Sequence, residues 1–259
     1  MRLWKVFFVS SIFMMSIFCV RAAEFKELRS EHFIIKYEPG VSESYVKKVK
    51  KEAEYFYRKI TQEFNLIREK LWMWTNRAKI FIAKDQKSYL EKFGCQSWST
   101  ACVNYQTKTI YTFPDQRNFS SVLAHELTHI IFREYIGYSR FPLWLDEGMA
   151  MYIQYKGSHE ATLMRSLMKK VIKKDKYIRF SKMQTIYQVA DKDPEVDLFY
   201  QQAFSMVDFL ISRFGKFHFK LFLGHIKKGA NLEEALRKSF LLVKDIKSFE
   251  DLWKRYYLK

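Results

Sequence analysis

Hydrophobic positions in this chain fall into two regimes, short runs of strand character up to about residue 113 and long stretches at helical spacing after it. Glu31-His-Phe-Ile-Ile-Lys-Tyr37 reads as a strand closed by Glu38-Pro39-Gly40. Ser42 is placed to cap a long helix reaching about Asn65, in which Tyr45, Val46, Val49, Ala53, Phe56, Ile60 and Phe64 recur every three or four residues. Arg77–Ala83 predicts a second strand, and Gln86–Phe93 a short helix stopped by Gly94. Ala101–Tyr105 and Thr109–Phe113, rich in β-branched and aromatic residues, predict a hairpin turning near Gln106–Lys108. Beyond it only helices are expected. One contains Ser121–Phe132, with Asn118 or Ser120 as N-cap, and Pro142 opens the next through to Tyr155. Others are predicted at 158–175, 181–189, 197–214, 216–228, 231–239 and 246–257, punctuated by Gly215, Gly229 and the Asp191–Pro194 cluster. Strands first and helices afterwards make an α+β fold with segregated elements.

Composition agrees. A 48% hydrophobic and 18% aromatic content supplies a buried core and excludes a disordered chain, while 8 Gly and 4 Pro in 259 residues suit a helix-rich protein. Arg2 and Lys5 precede an uncharged apolar run, Val6–Val20, and Val20-Arg21-Ala22 offers a cleavage site before Ala23. The run is short for a bilayer-spanning helix, which needs about 20 residues. Residues 1–22 therefore read as a signal peptide, and the protein as periplasmic or extracellular. Cys19 does not read as a lipidation site, because Ser16-Ile17-Phe18 lacks the small residue expected before one.

Removing residues 1–22, which hold three of the 45 basic residues and no acid, lowers the net charge from +17 to +14. These charges are spread over helices and read mainly as solvated faces, with peripheral contact to an anionic envelope or membrane surface as the partner they would favour. No nucleic-acid-binding motif occurs, and no nucleic-acid partner is expected. Cys95 and Cys102, seven residues apart in an exported chain, could close a disulfide or stand as two buried thiols.

The candidate chemistry lies in His125-Glu126-Leu127-Thr128-His129. Residues i and i+4 share one helical face, so both imidazoles reach one cation, while Glu126 is offset from His129 by roughly 60° around the helix. Glu126 thus flanks the metal without ligating it, as the base that takes a proton from an activated water. A catalytic zinc site needs a third protein ligand. Glu147, 18 residues after His129 in Pro142-Leu-Trp-Leu-Asp-Glu-Gly-Met-Ala150, is placed to supply it from a second helix, with Gly148 letting the two helices approach. On position alone Glu147 is either a ligand or an ordinary exposed helix acid.

His-Glu-Leu-Thr-His followed by Trp-Leu-Asp-Glu-Gly resembles the peptidase-MA-like gluzincins, strongly over residues 121–155 and more loosely over 31–215, where Tyr200-Gln-Gln-Ala-Phe204 and Phe214-Gly215 take part. The resemblance implies a zincin-like fold in which His125, His129 and Glu147 bind Zn2+, Glu126 is the general base and a protein or peptide is the substrate. Residues 23–155 would then form the catalytic core with both metal-binding helices, and 156–259 a helical subdomain completing the cleft. Tyr200, on a helix downstream, is the expected donor to the oxyanion. One departure stands out. Many members carry an acid one turn after the ligand Glu to orient a ligand His, and that position here is Met151, which leaves Asp146 or a backbone carbonyl for the task. Two other readings are a zinc-stabilised envelope-attachment module without catalysis and a metallohydrolase of cell-wall peptides. The Ala101–Phe113 hairpin is the expected edge to which an extended substrate adds.

Overall fold

The computed structural model describes residues 25–66, 71–95, 100–114, 119–137, 139–186 and 195–259. The predicted signal peptide, Asn118 and the Asp191–Pro194 cluster lie outside these residues.

Five strands form one mixed sheet in the order β1-β2-β3-β5-β4. These are β1 (Lys26–Arg29), β2 (Phe33–Tyr37), β3 (Ala78–Ile82), β4 (Ala101–Asn104) and β5 (Thr109–Thr112). The three inner strands run parallel, and both outer strands pair antiparallel to their neighbours. In β3 the alternation is complete, with Ala78, Ile80 and Ile82 buried and Lys79 and Phe81 facing outward. Strand β1 is not predicted by the pattern. Its Lys-Glu-Leu-Arg sequence holds one apolar residue, and charged side chains of this kind suit a sheet edge.

Helix α1 (Glu43–Phe64) carries the chain from β2 to β3 and is capped by Ser42, whose hydroxyl accepts from the Tyr45 amide. Its buried stripe, from Val46 to Phe64, packs on α3 and β2. Helix α2 (Gln86–Phe93) ends at Gly94, which takes the left-handed conformation at φ 63°. A disulfide joins Cys95, just beyond it, to Cys102 in β4.

The helical half comprises α3 (Phe119–Ile136), α4 (Leu143–Tyr155), α5 (His159–Lys173), α6 (Phe180–Met183), α7 (Val196–Lys227), α8 (Leu232–Ser239) and α9 (Ile246–Leu258). Ser120 falls inside α3 and so is not its N-cap. The helix expected over 181–189 is only the single turn of α6, and residues 184–186 leave it. At Gly215 the backbone takes φ 84° and ψ 161°, which breaks α7 into the two segments that the sequence predicts.

Helices α3 and α4 are apolar on most of their circumference and sit centrally, α4 between α3 and α7. The Gly148 contact explains part of this. A Cβ there would lie 2.7 Å from Val207 Cγ2 and closer still to the Ala203 carbonyl oxygen. Gly148 therefore lets α4 approach α7, not α3 as the sequence reading has it.

Candidate metal centre

Helix α3 carries a polar stripe at four-residue spacing through otherwise apolar sequence: Ser121, His125, His129 and Arg133. Helix α4 answers with Asp146, Glu147 and, two turns on, Gln154. The two stripes meet where the helices pack together. His125 Nε2 and His129 Nε2 stand 3.0 Å apart, and Glu147 Oε2 lies 3.6 Å from the first and 3.5 Å from the second. Tetrahedral zinc with bonds of about 2.0–2.1 Å sets its ligand atoms roughly 3.3–3.4 Å apart. The triangle fits that geometry to within a few tenths of an ångström.

The outer nitrogens fix which atoms face inward. His129 Nδ1 donates to Asp146 Oδ1 at 2.8 Å, and the other Asp146 oxygen accepts from Arg133 Nε at 2.8 Å and Nη2 at 2.6 Å. His125 Nδ1 donates to Gln154 Oε1 at 2.9 Å, and Gln154 Nε2 donates to Ser121 Oγ at 2.9 Å. Both rings thus turn Nε2 toward each other and toward a carboxylate. Two neutral imidazoles held this way would oppose their lone pairs, an arrangement that a shared cation or a proton relieves. The donor set of two imidazoles and one carboxylate suits zinc. His125, His129 and Glu147 form one of two groups with metal-ligating geometry among the described residues.

Charge follows the same geometry. Burial alone would raise the Glu147 carboxyl, but the two imidazoles outweigh it and hold Glu147 well below the usual carboxylate range. Burial alone would lower His129, yet the Asp146 carboxylate and then Glu147 raise it well above the ordinary histidine value. Glu126 goes the other way. Its burial raises the carboxyl more than the neighbouring histidines lower it, and Glu147 and Asp146 add to the rise. Among the described residues Glu126 makes no hydrogen bond or ion pair, so its carboxylate is available for proton transfer.

The structure brings His125, His129 and Glu147 together and supplies the partners missing from the sequence reading. The absent acid at Met151 is replaced by Asp146, the residue just before Glu147, so consecutive residues of α4 approach both nitrogens of His129. Gln154, Ser121 and Arg133 were missed. Their signal is the four-residue stripe on α3, together with the i+7 step from Glu147 to Gln154. Tyr105, at the end of the hairpin, was missed as well. Its ring meets His129 edge-on at 6.0 Å and carries the Arg133 guanidinium 3.9 Å above its face. Tyr200 lies in α7, half-buried and edge-on to Phe199 at 5.6 Å. His159 opens α5, and His218 Nδ1 donates to the Phe214 carbonyl at 2.9 Å. Neither of these, nor His225, joins a metal-ligating group among the described residues.

The second such group is Glu31, His32 and Glu54. It is internally satisfied. Glu54 accepts from the His32 main-chain N at 2.9 Å and from Nδ1 at 2.7 Å, and the imidazole stacks on Tyr57 at 3.9 Å. Arg58 adds a cation 3.6 Å from the same carboxylate. This cluster latches α1 to the start of β2.

Residues 86–259 match the family model of the peptidase MA superfamily. The chain belongs to that superfamily. Its sheet-then-helix arrangement is the zincin-like α+β architecture that the motif implies. No curated protein matches the chain in sequence. Among solved structures, native yeast LTA4 hydrolase is similar at a TM-score of 0.48 and 20% identity over 90% of this chain. The match covers 36% of that protein, so this chain spans about a third of its length.

Proposed function

We propose that the protein is a gluzincin-type zinc peptidase that hydrolyses peptide bonds in proteins or peptides outside the cytoplasm. The observation that carries the reading is the triangle of His125 Nε2, His129 Nε2 and Glu147 Oε2, with sides of 3.0–3.6 Å, beside the unbonded Glu126 carboxylate. His125, His129 and Glu147 would hold the metal. Zinc, when bound, supplies Lewis acidity toward a water and the scissile carbonyl. Glu126 accepts the proton of the attacking water and passes it to the leaving amine, a role suited by a carboxyl that burial raises above its ordinary value. Asp146 and Gln154 hold the two imidazoles in register. Tyr200 is the proposed donor to the developing oxyanion. Strand β4 pairs with β5 on one side and forms an outer edge of the described sheet, where an extended peptide adds antiparallel or parallel by main-chain hydrogen bonds. Export is supported by the apolar run Val6–Val20 and by the Cys95–Cys102 disulfide.

The test is metal analysis of purified protein with hydrolysis of casein and of cell-wall peptides. Wild type should carry one zinc per chain and cleave. Glu126→Gln should keep the zinc and lose about 10²–10⁴-fold in rate, and His129→Ala should lose the metal. Protein that folds without binding zinc, or Glu126→Gln at wild-type rate, rules the reading out.

A further inference from the structure

Helices α5, α7 and α9 meet around an open surface cavity of about 730 Å³. Its lining differs in charge from two other cavities among the described residues. Glu38, Asp85 and Glu91 balance three lysines in the cavity beside α2, and Glu63 offsets the cations in the cavity beside α1. Here Arg165, Lys169, Arg213 and Lys259 line the walls with Ser166, Tyr256 and Tyr257, and no acidic side chain joins them.

The counter-charge to Arg165 sits behind the wall. Asp208 is fully buried and takes Arg165 in a two-pronged grip, from Nε at 2.9 Å and Nη2 at 2.7 Å, while the Tyr257 hydroxyl donates to it at 3.1 Å. This fixes the guanidinium plane. The Nη1 edge makes no hydrogen bond among the described residues. A guanidinium locked on one edge presents the other as a pre-organised fork for an oxyanion. Lys169, Arg213 and Lys259 form no ion pair among the described residues, and the Tyr256 and Ser166 hydroxyls make no hydrogen bond there. Several unpaired cations around one cavity repel each other, and a multiply charged anion relieves that repulsion more than a single carboxylate does.

We propose that this cavity binds a phosphate-class anion, either a free phosphate or a lipid phosphate headgroup, with Arg165 as the fixed fork and Lys169 and Arg213 as the surrounding charges. It shares no residue with the metal centre and stands whether or not the chain is a peptidase.

The experiment is calorimetric titration of the full-length folded protein with inorganic phosphate at low salt, beside sedimentation with phosphatidylglycerol and phosphatidylcholine vesicles. Saturable binding is expected, about tenfold weaker in Lys169→Gln and in Arg213→Gln, with melting temperatures no lower than wild type, because neither side chain holds an ion pair and losing one cation eases the repulsion among them. Arg165→Gln leaves Asp208 unpaired and serves only if its melt shows it folded. Phosphate binding that these variants weaken identifies a soluble phosphate. Variant-sensitive sedimentation with phosphatidylglycerol alone identifies a headgroup. Phosphate held at the metal centre would be indifferent to the substitutions, and that result overturns the proposal, as does a failure to bind either probe.

Discussion

Replacing Asp146 by alanine should weaken zinc binding about 10- to 100-fold, the usual loss when the residue that orients a ligand histidine is removed. On the free-energy scale this is about 1.4–2.7 kcal/mol. The structure assigns the effect to one bond, His129 Nδ1 to Asp146 Oδ1 at 2.8 Å, made by a fully buried carboxylate. Without it the ring is free to turn its Nε2 away from Glu147, and the imidazole loses the negative charge that raises its basicity. Arg133, with its side chain 37% exposed, can turn to water when Asp146 is gone, so the fold should survive. The stability cost is then that of an unsatisfied His129 Nδ1–H, about 1–3 kcal/mol. The comparison is Gln154→Leu, which removes the neutral acceptor on His125 Nδ1. A neutral hydrogen bond is roughly half as strong as a charge-assisted one, so this variant should lose about tenfold or less. Competition against a chromophoric chelator gives both dissociation constants, and circular dichroism of the zinc-free variants checks folding. An Asp146→Ala affinity within about threefold of wild type, or a greater loss in Gln154→Leu, would refute the reasoning.

Four further outcomes are expected. His129 is raised well above its ordinary value, burial notwithstanding, by Asp146 and Glu147, so at neutral pH the zinc-free site carries a proton that zinc must expel; calorimetry in buffers of different ionisation enthalpy should show release of about one proton. The sign for stability follows: the zinc-free fold keeps the full His129 contribution below about pH 6.5 and loses it as pH rises through the raised folded value, so its melting temperature should fall over that upper window. Gly148→Ala should cost about 1–3 kcal/mol by forcing α4 and α7 apart, against little or no loss in Gly224→Ala, where nothing lies within 4 Å of the added carbon; thermal melts of the pair decide. Reducing the Cys95–Cys102 disulfide, which closes a loop of sequence separation 7, should lower stability by about 2–3 kcal/mol in urea unfolding with and without reductant.

What was legible in the sequence was whatever helical or strand periodicity alone fixes. The i,i+4 step puts His125 and His129 on one face whatever surrounds α3, and the inner strands and α1 announce themselves by apolar spacing. Edge strand β1 was not legible, because a charged edge has little apolar pattern to read. The partners of the metal centre depend on how two helices cross. Asp146 at His129 and Gln154 at His125 are ordinary polar residues until α4 is set against α3 at one rotation. Gly148 failed for a related reason: a glycine announces a close approach without naming the helix approached, and here it is α7. Tyr105 was hidden because its hairpin reaches the helix pair only in three dimensions.

The five side chains proposed to hold or orient a metal, His125, His129, Asp146, Glu147 and Gln154, lie on two consecutive helices joined by one connection. Ligands gathered from distant parts of the chain would require long loops to close first, each doubling of loop length costing about 0.6 kcal/mol. Here the only loop between the ligands is the step from α3 to α4. On the proposed zinc site, an α3–α4 hairpin needs no contact from α7 to close its three ligands on a cation, which would make metal uptake an early event of folding and the later helices a clamp on a hairpin already cross-linked.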